Sequence, residues 1–415
     1  MLTKYLKNNN YLNFLVFLLL FLSGSFLTSN DVISPNITKL LWLLLGVLAI
    51  IKLKAADISK FLLPFVLCLS IVVSTLVNKG NVSVAVFTAI QIFIASIILC
   101  SFGFKAVINS YSKIMTFLCG FSLIMTLLFF LFPGLNAVFR VSNINNTAYF
   151  SNFVIFVRNT NESGIGRNCG MFWEPGAFQT FICFAFIFEA VKKKPSVLKI
   201  ALFSITMIST FSTTGYFCLA ILLLFLLFRK YENGKQIKSF LFSFAVIGLL
   251  VLLLNRDMFF STDNYTVFGK LILYRDSVAY QSRVSSVSIR INAVLKPIAV
   301  FINNPLFGVG DVVFRELLYE ETLGVTSCTL VNWFAIYGIL PAGIVVYEIF
   351  KTINKLCDKF WCVIVLFIVI FITTMSENYI SNATITMLFM GATFEYKPNF
   401  SRKERFSNRF CKIQC

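Results

Sequence analysis

Apolar runs close to the length of a bilayer crossing recur along this chain, and that recurrence constrains its fold more than any other feature. Twelve are read, near residues 11–27, 38–51, 61–77, 82–102, 114–132, 171–191, 197–209, 215–228, 239–254, 329–350, 360–375 and 379–394. Lipid offers no partner to backbone N–H and C=O groups, so such runs are expected to be helices that satisfy their own hydrogen bonds. The expected fold class is therefore all-α: a polytopic integral membrane protein of about 12 transmembrane helices in one domain over residues 1–415. Composition agrees, with 58% of residues hydrophobic and 13% charged, against roughly 25% charged in an average globular chain. The hydroxyl-rich break Ser209-Thr210-Phe211-Ser212-Thr213-Thr214-Gly215 is expected to form a tight hairpin inside the long run 197–228. Lys4 and Lys7 precede the first run as in a signal peptide, but no small-x-small cleavage site follows, and an uncleaved span is expected.

The net charge of +18 is explained by where the cations fall. With a cytoplasmic N-terminus, two-thirds of the 36 Lys and Arg lie on inner connections or in the tail 397–415, as the positive-inside rule requires. Both termini are then cytoplasmic, the inner cations sit against anionic lipid, and no nucleic-acid partner is needed. The absence of His excludes a His general base and every His-ligated metal or haem site. The 11 Cys form no CxxC pair, and most lie in or beside apolar runs, where Cys acts as a small apolar residue. Only Cys169 and Cys328 fall near the outer surface, where a disulfide is possible, although nothing in the sequence fixes their separation.

Two long polar segments, 133–170 and 255–328, fall on the outer side and are where function is expected. The first carries Arg140, Arg158, Glu162 and Arg167 and ends in Gly170-Met171-Phe172-Trp173-Glu174-Pro175-Gly176. Pro175 marks a helix start, and the helix dipole favours Glu174 there; the carboxylate either serves that start alone or orients an Arg or a sugar hydroxyl. In the second, Val284, Val287, Ile291, Val294, Leu295, Ile298 and Phe301 recur at helical spacing, giving an amphipathic helix too polar to span. Arg283 and Arg290, seven residues apart, project on nearly one azimuth of that helix. They either anchor it to headgroups or bind phosphate bidentately. Asn303-Asn304-Pro305-Leu306-Phe307-Gly308-Val309-Gly310 then turns the chain back. Ionisable residues are scarce within the runs, and Glu189, Glu348 and Glu395 fall near inner helix ends, so an ion path is not indicated.

Three stretches, in order, resemble the bacterial O-antigen ligase and polymerase (Wzy-type) family. Gly170-Met171-Phe172-Trp173-Glu174-Pro175 resembles its G-x-F-x-E-P stretch. Ser209 to Tyr216 resembles its Ser/Thr-rich hairpin, and Arg290 followed by Asn303 to Gly310 resembles its Arg…nPl-GvG signature. Strict Arg, ten residues, Gly spacing, often written for the polymerases, is absent. The resemblance implies a GT-C-like, metal-independent glycosyltransferase without a cofactor at the periplasmic face of the bacterial inner membrane. It would polymerise undecaprenyl-diphosphate-linked oligosaccharide repeat units into O-antigen, capsular polysaccharide or exopolysaccharide, alongside membrane lipid, a chain-length regulator and a flippase. On that pattern Arg290, Arg283, Arg167 and Glu174 are the expected catalytic residues, with Arg158, Arg275, Asn304 and Trp173 expected to bind substrate. Ligases of this superfamily use an outer-loop His, which this chain lacks, so polymerase is favoured over ligase. The rival from another class is a lipid-linked oligosaccharide flippase, which should show two related halves and a charged central cavity; neither is legible here.

Overall fold

The computed structural model describes residues 2–53, 58–142, 149–153, 155–160, 166–254, 286–322 and 327–394, and these are mostly helical. The first five long helices are α1 (Leu2–Gly24), α2 (Pro35–Ile50), α3 (Leu62–Val77), α4 (Val82–Phe102) and α5 (Phe104–Leu131). Gly103, at φ 77° and ψ 150°, breaks α4 from α5 in a single residue. A four-stranded sheet follows, built from β1 (Arg140–Ser142), β2 (Tyr149–Phe153), β3 (Phe156–Thr160) and β4 (Gly166–Gly170). It is an antiparallel meander in the order β1-β2-β3-β4, with an irregularity between Val157 and Arg158. Helical periodicity gives no sign of this sheet, because its short Asn- and Gly-rich strands carry no long apolar alternation.

The chain then re-enters the helical body as α6 (Pro175–Ala190), α7 (Val197–Ser209), α8 (Thr213–Phe228) and α9 (Gly234–Leu254). The hairpin expected at 209–215 is present: residues 210–212 link α7 to α8, Phe211 adopts φ 48°, and Ser212 Oγ accepts from Gly215 N at 3.4 Å. Beyond 254 come α10 (Ser286–Asn303), α11 (Asp311–Thr322), α12 (Thr329–Tyr337), α13 (Ile339–Leu356), α14 (Phe360–Thr374) and α15 (Ala383–Phe389).

Helix α6 is the axis of the core. Every residue from Ala177 to Ala190 is buried, and α5, α7, α8, α14 and β4 pack around it. Phe172 stacks on Phe181 at 4.3 Å and on Phe178 at 5.5 Å, and the Tyr111 hydroxyl of α5 donates to Phe181 O at 2.7 Å. Polar side chains are buried along the same axis, among them Gln179, Thr180, Thr373 and Asn168. On the perimeter Leu40, Val47, Phe130, Phe228 and Phe242 are each more than half exposed. Among the described helices, α4 and α5 are long and apolar enough to cross a membrane by length and composition, and shorter apolar helices of 10–17 residues include α2, α3, α6, α7, α8 and α14.

The run 329–350, read as one span, is two helices, α12 and α13, broken at Gly338 with φ 84°. The physical reason is the Asn303-to-Gly310 turn, which docks into that break. Ile339 N donates to Pro305 O at 2.8 Å, and Val309 N and Gly310 N donate to Ala335 O and Ile336 O at 2.9 and 3.0 Å. Ser74 Oγ of α3 and Nδ2 of its C-cap residue Asn78 close on Phe307 O at 2.6 and 3.0 Å. A Cβ at residue 338 would overlap the Leu306 carbonyl, so the two backbones approach as only glycine permits. The Pro/Gly motif is a three-way clamp joining α3, α10 and the α12–α13 break.

Candidate functional site at the sheet end

The α6 axis has a sheet end and a lysine end, about 24 Å apart for a helix of 16 residues. At the sheet end, β4 delivers the chain into α6 through a turn at Gly170, where φ is 56° and a Cβ would lie 2.8 Å from the Phe178 ring. Phe26 N donates to Met171 O at 2.8 Å, stitching the segment after α1 onto this turn. Pro175 then opens α6. Glu174 is its N-cap residue, extended at φ −149° and ψ 158°, exposed, and without a side-chain capping bond. Its carboxylate therefore stands at the positive helix end with its oxygens uncommitted to capping.

The two arginines of the sheet differ although adjacent strands carry them. Arg158 of β3 is 7% exposed, and its Nη1 donates to Phe129 O at 3.2 Å and to Asn136 Oδ1 at 3.3 Å. It caps the last turn of α5, and burial pulls its guanidinium below the usual arginine range. Expected to touch substrate, Arg158 is instead enclosed: a Cβ at Gly166 would overlap its guanidinium. Arg167 of β4 is half-buried. Its Nε and Nη2 donate to Thr210 O and Phe211 O at 3.2 Å each, locking the link after α7 to the sheet. Two carbonyls use two of the fork's five donors, which leaves donors for an anion. Between them Asn168 is fully buried, with Nδ2 on Ser122 Oγ at 3.1 Å and Ser209 Oγ at 2.9 Å.

A loop from 375 to 382 completes the site. Glu377 Oε1 lies 3.1 Å from where a Cβ at Gly176 would be, so a second carboxylate stands beside the first turn of α6. Trp173, half-buried, faces the Tyr379 ring at 5.9 Å between centroids. Glu174 and Glu377 both lie within electrostatic reach of Tyr379, as Arg167 and Glu174 do of Cys169. Beneath them Gln179 Nε2 donates to Thr373 Oγ1 at 3.1 Å, and Thr180 Oγ1 donates to Gly176 O and Thr373 O at 3.0 and 3.1 Å. This network holds the loop after α14 against the start of α6. Thr329 Oγ1 donates to Glu377 O at 2.9 Å and accepts from Tyr379 N at 2.8 Å, bringing the start of α12 to the same place.

The structure thus brings Arg167, Trp173 and Glu174 to one end of one helix. Glu377 and Tyr379 join them; their only sequence signal is the polar break Ser376-Glu377-Asn378 between two apolar runs. Asn304 belongs to the clamp instead, exposed, with Nδ2 on Val300 O of its own helix at 3.3 Å. Arg290 lies on α10, whose helical course agrees with the amphipathic pattern, but its side chain is outside the described residues. Arg275, Arg283, Glu162 and the tail 397–415 also lie outside them. Cys169 and Cys328 are separate buried thiols, not a disulfide. Burial pushes the Cys169 thiol up to about 12 and that of Cys328 to about 11. No family model and no curated protein sequence matches this chain.

Proposed function

We propose that the chain is a polytopic inner-membrane glycosyltransferase that polymerises undecaprenyl-diphosphate-linked repeat units at the periplasmic face. The observation that carries the reading is the convergence of Arg167, Trp173 and Glu174 with Glu377 at the sheet end. The membrane placement is supported by the perimeter of exposed Leu, Val and Phe around a body that buries polar side chains such as Asn168 and Gln179, which water would not favour. It is supported too by α10, where Ile291, Leu295 and Ile302 are each more than half exposed, as on a helix lying in an interface. Cytoplasmic termini follow from placing the lysine end inside.

In this reading the remaining donors of Arg167, with Arg290 and Arg283 as the family resemblance assigns them, hold the donor diphosphate. They stabilise the charge that grows as the bond from the anomeric carbon to the diphosphate oxygen breaks. The acceptor hydroxyl oxygen forms the new bond to that carbon, and its proton passes to Glu174. Trp173, half-buried, offers the aromatic face against which a sugar packs, with the buried Tyr379 ring behind it.

Deleting the gene and displaying surface polysaccharide on a gel tests the reading. The expected result is collapse of a ladder to single-repeat-unit glycan, restored by wild type and not by Arg290→Lys. Loss of all surface glycan with lipid-linked units accumulating would replace it with the flippase or ligase reading.

A further inference from the structure

The lysine end holds a cavity of about 680 Å³, within the roughly 300–1,000 Å³ typical of small-molecule sites. Four lysines line it: Lys105 and Lys113 of α5, Lys192 after α6, and Lys199 of α7. Lys105, Asn109 and Lys113 follow at four-residue spacing and so form one stripe of α5, and all three are exposed. The two lysines opposite are held in place. Lys192 Nζ meets the buried Glu189 Oε2 at 2.6 Å, and Lys199 Nζ lies 3.9 Å from the same oxygen and 3.5 Å from Ser112 Oγ. Among the described residues no carboxylate lines the cavity itself, so four ammonium groups line it with Glu189 behind two of them. Leu12, Phe102 and Phe104 form an apolar wall beside the cations. The first turn of α5, which has no side-chain cap, opens at the same place.

We propose that this cavity binds a phosphate or diphosphate group, carried either by an anionic lipid or by a soluble ion. Lysines so placed repel one another and raise the local concentration of anions, and compact ammonium groups suit phosphate oxygens. A net charge of about three positive units matches a diphosphate or a phosphomonoester with a neighbouring anion, and exceeds what one carboxylate can balance. The apolar wall fits an acyl or prenyl chain leaving the phosphate. This site is separate from the sheet end and does not depend on the polymerase reading.

The test uses the full chain in phosphatidylcholine nanodiscs, with thermal unfolding as the readout. Phosphatidic acid incorporated in the disc, or inorganic pyrophosphate titrated from solution, is the probe. A saturable rise in unfolding temperature is expected with at least one. A rise with phosphatidic acid alone assigns the lipid source, and a rise with pyrophosphate the soluble one. Lys105→Gln with Lys113→Gln should weaken the effective probe about thirtyfold, whereas the paired Lys→Arg variant should retain it. Both positions are exposed, so the variants should fold as wild type does. No rise with either probe, or an unchanged midpoint in the Lys→Gln variant, would overturn the proposal.

Discussion

The two ends of the α6 axis handle positive charge in opposite ways. At the sheet end, Arg158 is docked onto a last-turn carbonyl of α5 and Arg167 onto carbonyls of the α7–α8 link, so each cation first has a structural role. At the other end, Lys105 and Lys113 stand exposed around an open cavity, while Lys192 and Lys199 pair with the buried Glu189. The contrast teaches that a cation's role is set by which backbone groups reach it, which residue type alone does not reveal. It also divides the two arginines: Arg158 is enclosed, whereas Arg167 is half-buried and keeps donors beyond the two that hold the α7–α8 link.

The largest effect expected lies outside both ends, in the clamp on which α10 is mounted. Gly338→Ala should cost about 4 kcal/mol, combining left-handed backbone strain with overlap on the Leu306 carbonyl. Thermal unfolding of the purified chain measures it, and a loss below about 1 kcal/mol would contradict the clamp. Arg158→Ala should follow at about 3 kcal/mol, since it strips partners from Phe129 O and Asn136 inside the protein. Arg167→Ala should cost about 1–2 kcal/mol of stability yet abolish polymer formation. If the two variants lost stability and polymer in the same ratio, the division between the arginines would collapse.

A pH series sharpens the sheet end further. The Cys169 thiol is raised from an ordinary 9.0 to about 12 in the folded chain, mainly by burial. Its folded value lies above its unfolded one, so its contribution to stability is complete below pH 9 and is lost as pH rises towards 12. Unfolding midpoints between pH 8 and 11 should therefore fall less steeply in Cys169→Ala than in wild type. The smallest effect belongs to Asn304→Ala, within about 0.5 kcal/mol of wild type and with normal polymer, because Asn304 is exposed and bonds only one turn back on its own helix.

Much of the helical frame was legible in the sequence because apolar runs and their breakers act locally: the 209–215 hairpin and the start of α6 at Pro175 lie where the residues put them. What was not legible depends on partners distant in sequence. The split at Gly338 requires Leu306 to arrive from elsewhere, and no pattern within 329–350 announces it. The sheet between 140 and 170 is set by pairing of short strands that lack alternation. Trp173, Glu174 and Arg167 could be nominated from one stretch of chain. Glu377 could not, because its place beside Gly176 is made by the α6–α14 network of Gln179, Thr180 and Thr373.

The central claim is that the sheet-end cluster carries the chemistry, and Glu174 tests it most directly because it caps nothing and is exposed. Purified chain reconstituted with a lipid-diphosphate-linked repeat unit should make polymer, and Glu174→Gln, folded as stably as wild type, should make it about 10²–10⁴ times more slowly. Polymer formed by Glu174→Gln at the wild-type rate would contradict the account.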